Sequence, residues 1–484
     1  MNELINRKII ELRKNMIPKT KFIAGTCLAM LISAASFITG AQQLNTDQQA
    51  QLNQLKATAL QSDLSYQLIE SLTTEVGHRM MGSTGDKKSI VWAVNKMKAL
   101  GFDKVWTEEV TGSYWLRGEA KARIVAPYPH DLVVLALGGS IGTVKTGLTA
   151  NIAHFETFAD LKAAPDNSLN GQIAFVSYQM ERHIDGNGYG PAVATRVNGA
   201  VVAAQKGASA LVMRSVGTDN NRIAHTGVMR YKDKVKQIPA AALSNPDADL
   251  LVNQLKRGEA VSMYLKMTAR TKAEVVATSA NVIGEFTGSE FPEEIVALGA
   301  HLDSWDVGTG ALDDGLGIGM VMAAAHHIGQ LPERPKRSIR VILFAAEEVG
   351  LLGAKQYVKD HKDDMAAHVI GAEWDFGIGR IYKMTPGVGA QSLNAIRELA
   401  QYLAPMGVAL APENNAKGQS DMSALSDEGM PSINFAPDGS NYFDYHHTEN
   451  DTLDKVEPEA LKVNTAIYTM YAYFAAQAMV DFRK

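Results

Sequence analysis

A chain of 484 residues, 46% hydrophobic and 20% charged, has the composition of an ordinary soluble globular protein, and its length points to two compact units. The net charge of −5 gives no basic footprint, which argues against nucleic acid as a partner. The single cysteine, Cys27, excludes a disulfide framework.

Arg7, Lys8, Arg13, Lys14, Lys19 and Lys21 precede an apolar stretch over 22–38, then the small residues Thr39-Gly40-Ala41. This order of charged, apolar and small residues predicts an export signal over 1–41, and so a periplasmic or extracellular protein with no stable membrane span in its mature chain. An uncleaved anchor is the competing reading, since about 17 apolar residues are borderline for a span. Cys27 falls inside the signal, leaving the mature chain no thiol nucleophile and no cysteine zinc site. Thr26 is not the small residue expected before a lipidated cysteine, so no lipid anchor is predicted.

Leu52, Leu55, Ala59, Leu60, Leu64, Leu68 and Leu72 predict one helix over about 46–76. A second covers 87–100 and is closed by Gly101. Extended segments follow near 104–109 and 120–125. From about 128 to 275, short β-rich runs such as 172–177 and 210–213 alternate with small Gly/Ala-rich helices. None of them ends in ligand-type residues. This texture predicts an inserted non-catalytic domain, 128–275, between catalytic parts 42–127 and 276–484. An amphipathic helix over 458–479 closes the chain, with Ile467, Met470, Tyr471 and Phe474 facing the core.

The chemistry lies in the last part. The apolar run 295–300 leads into His301-Leu302-Asp303, and a Gly-rich turn then brings Asp313-Asp314. The run 339–346 ends in Glu347-Glu348, 368–373 leads through Trp374 to Asp375, and 432–435 precedes a loop carrying His446-His447-Thr448. Ligands of open α/β sheets bind beyond the carboxyl ends of the strands, so these residues converge on one sheet edge. Two imidazoles and three carboxylates, one of them bridging, suit a pair of zinc ions.

In His301-x-Asp303 the carboxylate can accept the second N–H of a ligating imidazole. Asp313-Asp314 directly precedes a helix over 315–329, where an acid is also a plain N-cap. The bridging reading of Asp313 depends on His301 and the glutamates. Glu347-Glu348 puts two carboxylates in one cleft, where both ionise readily only beside a cation. One can hold metal while the other takes a proton from water. Their bland reading is a solvated loop pair. Asp451 is a candidate partner for His447.

Other motifs weigh less. His326 and His327 lie near a helix C-terminus, where imidazolium complements the dipole. Gly315-x-Gly317-x-Gly319 reads as close helix packing. Gly138-x-Ser140-x-Gly142 follows an apolar run, but the extended, turn-rich residues after it do not make the helix that a serine nucleophile elbow needs. No HExxH is present.

Taken together, GAHLDSWDVGTGALDDG, AAEEVGLLGA and YHHTENDT resemble the M28 family of co-catalytic zinc peptidases, on its carboxypeptidase Q branch. The resemblance spans essentially the whole mature chain. It implies an α/β catalytic domain with a mixed central β-sheet flanked by helices, and makes 128–275 a β-rich apical insertion like a protease-associated (PA) domain. It implies a secreted di-zinc exopeptidase of small peptides, chiefly dipeptides with free ends. His301 and Asp375 would bind one zinc, Glu348 and His447 the other. Asp313 would bridge them through a cis peptide to Asp314. Glu347 would be the general acid/base, and Asp303 would orient His301. His447 is preferred to His446 because the family's ligand directly precedes the Thr of H-[ST]-x-x-D-T. The loop 418–421 resembles a segment near the substrate, without an assigned role. The insertion would wall the cleft; alternatively it serves contacts within a homodimer. Three other readings stand beside this one: an aminopeptidase of the same family, a single-zinc glutaminyl cyclase, and a receptor-like binding protein without activity.

Overall fold

Residues 43–484, the part that the computed structural model describes, begin at a capping box. The Asn45 side chain accepts from the Gln48 N–H, and the Gln48 side chain accepts from the Asn45 N–H, which starts the helix Thr46–Gln61. The single helix expected over 46–76 is in fact two, Thr46–Gln61 and Leu64–Glu75. Ser62 breaks it by turning extended at φ −87° and ψ 134°, and its Oγ accepts from the Leu64 N–H at 3.2 Å. That local bond competes with the helical ladder. The next helix, Thr84–Ala99, starts one turn earlier than expected because Ser83 caps it, and Gly101 follows at φ +81°.

The apolar runs become the four central strands of an eight-stranded sheet. Across the sheet the order is Lys104–Leu116, Arg270–Phe286, Arg337–Phe344, Phe291–His301, His368–Glu373, Ser432–Pro437, Ile381–Gly387 and Ala409–Leu410. Phe291–His301 pairs in parallel with Arg337–Phe344 on one side and His368–Glu373 on the other, and the latter pairs in parallel with Ser432–Pro437. All four therefore point their carboxyl ends to one edge. Antiparallel pairs flank them, so the sheet is mixed.

Helices Gly315–Gly329 and Pro458–Gln477 pack on this sheet and on each other. A Cβ on Gly319 would meet the Ser65 carbonyl at 2.6 Å, so the glycine lets the helix Leu64–Glu75 approach closely. Pro458–Gln477 departs from the amphipathic expectation: it is buried on every side from Asn464 to Gln477. It is sandwiched between the sheet and the helices Thr46–Gln61, Leu64–Glu75, Gly315–Gly329 and Leu393–Leu403, and Thr465 and Thr469 satisfy their hydroxyls on carbonyls one turn back, at 2.8 and 2.7 Å. His327 also departs from expectation. Burial pushes it down to about 4, so it is neutral and gives the helix end no cation.

A second eight-stranded sheet comes from residues 120–267, in the order His130–Leu132, Ala120–Ala126, Ser262–Met267, Leu148–Phe155, Ile173–Val176, Ala210–Arg214, Ala240–Leu243 and Val134–Ala136. The run of four from Leu148–Phe155 to Ala240–Leu243 is parallel, and the pairs on either side of it are antiparallel. Ser140 is fully buried here; its Oγ donates to the Ile141 carbonyl and accepts from the Ala240 N–H, both at 2.9 Å, a structural use. Residues 43–484 belong to one compact unit, and no helix among them is long and apolar enough to cross a membrane. The export-signal expectation, with Cys27, lies outside the described residues.

Candidate active site

The strand geometry delivers the acids and imidazoles to one point. His301 is the last residue of its strand, Asp375 lies two residues beyond His368–Glu373, and Glu347 and Glu348 follow Arg337–Phe344 after two alanines. His301 Nε2 is 3.0 Å from Asp313 Oδ1 and 3.2 Å from Asp375 Oδ1. On the other side, His447 Nε2 is 3.2 Å from Asp313 Oδ2 and 3.0 Å from Glu348 Oε2. One carboxylate thus faces both imidazoles. Asp313 joins Asp314 through a cis peptide bond, and Asp314 caps the helix Gly315–Gly329 by accepting from the Gly317 N–H at 2.9 Å.

Five further details refine the expectations. The His301 Nδ1 partner is the Asp303 backbone carbonyl at 3.0 Å, whereas the Asp303 carboxylate stands 3.7 Å away. That carboxylate instead accepts from the N–H groups of Glu347 (2.9 Å) and Glu348 (3.3 Å), holding their turn. Asp451 does not orient His447; it accepts from the Leu312 N–H at 2.6 Å, just before Asp313. His447 Nδ1 instead lies 3.2 Å from the Thr226 carbonyl and 3.5 Å from Arg196 Nη1. His446 stacks on His447 with ring centroids 3.5 Å apart, yet its Nε2 is 3.7 Å from Asp313, the longer of the two approaches.

The electrostatics are those of a crowded, largely buried anion cluster. Burial pushes Glu348 up to about 7, and burial with the nearby Asp375 carboxylate pushes Glu347 well above the usual range. Burial disfavours charge on His447, but the Glu348 and Asp313 carboxylates outweigh it and raise the imidazole to about 9. Burial likewise opposes ionisation of Asp313, which His301 and His447 beside it hold well below the carboxylate range. Glu348 Oε1 is buried without a hydrogen-bond donor, and Asp313 Oδ2 has only the poorly aligned Nε2 atoms of His447 and His446, at 3.2 and 3.7 Å. Unpaired buried oxygens of this kind are costly unless a cation meets them. His301, Asp313 and Asp375 form one ligand-sized group, and Asp313 with His446 and His447 forms another. The donor set of oxygen and imidazole nitrogen, with each imidazole's second nitrogen on a carbonyl, fits divalent zinc.

Several participants carried no motif. Arg79 is fully buried and donates to the carbonyls of Leu302, Gly77, Thr309 and Gly310 at 2.7–3.1 Å, fixing the loop between His301 and Asp313. Ser420 Oγ donates to Glu347 Oε1 at 3.1 Å. From the second sheet's part of the chain, His225 contacts the His446 carbonyl through Nδ1 at 2.8 Å and Asp219 through Nε2 at 2.6 Å. The cleft over the acids, about 450 Å³, is lined on that side by Tyr189, Arg196, Val228 and Arg230. Only their proximity in the folded chain marks these residues.

The model of peptidase family M28 matches residues 281–472. Carboxypeptidase Q of Mus musculus is 33% identical over 85% of both chains, and that of Homo sapiens is 33% identical over the same shares. Among solved structures, a peptidase M28 precursor from Shewanella amazonensis SB2B superposes with a TM-score of 0.88 at 49% identity, covering 90% of this chain and 98% of that one. BSAP, a zinc aminopeptidase from Bacillus subtilis, shares the fold at 22% identity, with a TM-score of 0.60 over 87% of this chain and 97% of that one. With the ligand-bearing strand ends assembled as described and relatives of this similarity along most of its length, the chain belongs to peptidase family M28.

Proposed function

We propose that this peptidase is an exported exopeptidase that holds two zinc ions and cleaves short peptides, chiefly dipeptides with free ends. The observation that carries the reading is the position of Asp313 between His301 and His447. His301 and Asp375 would hold one ion, His447 and Glu348 the other, and Asp313 would serve both. When bound, the ions supply Lewis acidity at the scissile carbonyl and lower the pKa of water. Glu347 stands outside both sets of three ligands. Its carboxylate, held by Ser420, takes the proton of the attacking water and returns it to the leaving amine. Asp303 fixes the backbone of this base, and the Asp303 carbonyl sets the His301 tautomer. Residues 128–275 act as a PA-like inserted domain that limits substrate length, a role supported by the cleft-lining residues 189–230. The charged and apolar leader over 1–41 supports export.

The test combines metal titration with a peptide length series whose ends are free or blocked. Chelation should abolish hydrolysis, and activity should return as two zinc ions bind per chain. Dipeptides should turn over faster than long peptides. Full activity in a verified metal-free sample overturns the zinc reading, and equal cleavage of long peptides overturns the walled cleft. Indifference to a blocked C-terminus, with strict need for a free amine, would make the enzyme an aminopeptidase.

A further inference from the structure

His447 enters the metal site from backbone that is held mainly by the second sheet's part of the chain. Among the described residues, backbone hydrogen bonds of 439–447 run only to neighbours within 438–448 or to residues of 182–226. The Gly439 N–H donates to the Ile184 carbonyl at 2.9 Å. The N–H groups of Thr218 and Thr226 donate to the carbonyls of Phe443 and His447 at 3.1 and 3.0 Å. Arg182 adds a side chain to this set. Its Nη1 donates to the Ser440 carbonyl and, at 2.9 Å, to Asn441 Oδ1. Its Nη2 donates to Asp444 Oδ1 at 2.6 Å and to the Thr218 carbonyl at 3.1 Å. All four N–H bonds of the two terminal nitrogens are thereby used. The Thr218 hydroxyl donates to the same Asp444 oxygen at 2.7 Å.

With 40% of the Arg182 side chain and 18% of the Asp444 side chain exposed, the ion pair alone contributes little. A planar fork is different, because once one bond has fixed it the other three cost little further freedom. We infer that Arg182 is a positioning residue for the second metal ion, seating through Ser440 and Asp444 the loop from which His447 reaches Glu348 and Asp313. This rests on the two-ion reading above and extends it to a residue outside the cleft. The route is short. Asp444 closes the turn Tyr442–Asp444, three residues before His447. His447 stands at φ +61°, a backbone state that a residue with a side chain keeps only when its flanks are fixed. His225 and Thr226 hold the near flank, and Arg182 holds the far one. The ion held by His301 and Asp375 has no such dependence, since those ligands leave strands of the first sheet.

The experiment compares wild type, Arg182→Gln, Arg182→Lys and Asp444→Asn with a control, Arg334→Gln, which removes an ion pair to Asp103 away from the cleft. Each protein is stripped of metal and titrated with zinc against a chelating dye. In Arg182→Gln one zinc affinity should fall about tenfold and the other less than about twofold, as expected when a support behind one ligand is lost. Arg182→Lys keeps the charge and Asp444→Asn keeps an acceptor, so each should lose less. Arg334→Gln should move neither affinity. Hydrogen–deuterium exchange of the metal-free proteins should be faster across 439–447 in Arg182→Gln than in the wild type. Zinc affinities that both fall alike, or that both stay put, overturn the inference, and so does unchanged exchange across 439–447. If Arg182→Gln does not fold, Arg182→Lys and Asp444→Asn carry the same test with smaller shifts. If the wild type takes up no zinc, the two-ion reading fails, and the exchange measurement still decides whether Arg182 seats the loop.

Discussion

The floor of the cleft is made where four parallel strands run out at a single edge, whereas its wall comes from residues 189–230, whose place depends on how the second sheet packs against the first. On the floor, one element type repeated side by side brings distant residues together, and each acid or imidazole sits at or just past an apolar run. On the wall, Tyr189, Arg196, Thr226 and Arg230 share no period and no motif. Chemistry is concentrated in the first region. The bracing of His447 comes from the second.

The comparison breaks most visibly if the two adjacent floor glutamates turn out to be interchangeable. On the proposed assignment, in which Glu347 moves protons and holds no metal, Glu347→Gln should cost about 10²–10⁴-fold in kcat while both zinc ions stay bound. Glu348→Gln should lose metal as well as rate. Steady-state kinetics with zinc analysis of each purified variant checks this, and near-normal turnover of Glu347→Gln would remove the base assignment.

A middle-sized effect tests whether the wall serves the floor. His225 holds the His446 carbonyl, and the Thr226 N–H donates to the His447 carbonyl at 3.0 Å, steadying a residue at φ +61°. His225→Asn should weaken the more loosely held zinc about 10- to 100-fold, the usual cost of losing a support behind a ligand. Competition titration against a zinc chelator measures it. Affinity equal to the wild type would mean that the wall leaves the metal site alone.

The smallest effect sharpens the contrast by going to imidazoles remote from the cleft. Burial pushes His327 and His368 down to about 4, opposite to the rise at His447. A histidine depressed in the folded state contributes full stability above its unfolded pKa near 6.5 and loses it as pH falls toward 4. Between pH 7 and 4.5, the zinc-free protein should lose about 1–3 kcal/mol of unfolding free energy through His327 alone. Urea titrations of wild type and His327→Gln at both pH values check it. Identical pH dependence in the two proteins would place the acid sensitivity elsewhere.

The sequence made the floor legible because a strand long and apolar enough to be buried has few positions at which to release an acid; Glu347-Glu348 after 339–346 is the clearest case. The same reasoning was blind to atoms within a residue. Asp303 has the right residue type, but its carbonyl faces His301 and its carboxylate the glutamate turn, a difference set by chain direction at the strand exit. Helix signals failed where tertiary burial or a local bond prevailed: Ser62 split a regular leucine pattern, and Pro458–Gln477 is buried on every side from Asn464 onward because the sheet and four helices cover it. The wall was illegible for a simpler reason. Arg196 and Arg230 look like ordinary surface cations until the two sheets are brought together.

Arg79 carries a consequence for where this enzyme begins as a folding unit. Every candidate metal ligand lies within 281–472, the span that the family model matches. Yet the loop from Leu302 to Gly310 is pinned by a guanidinium from some 220 residues earlier in the chain. A fragment starting at residue 281 would hold all five ligands and leave those carbonyls without their donor. During synthesis Arg79 leaves the ribosome long before His301, so its segment must wait, already exposed, for the loop that it will later clamp.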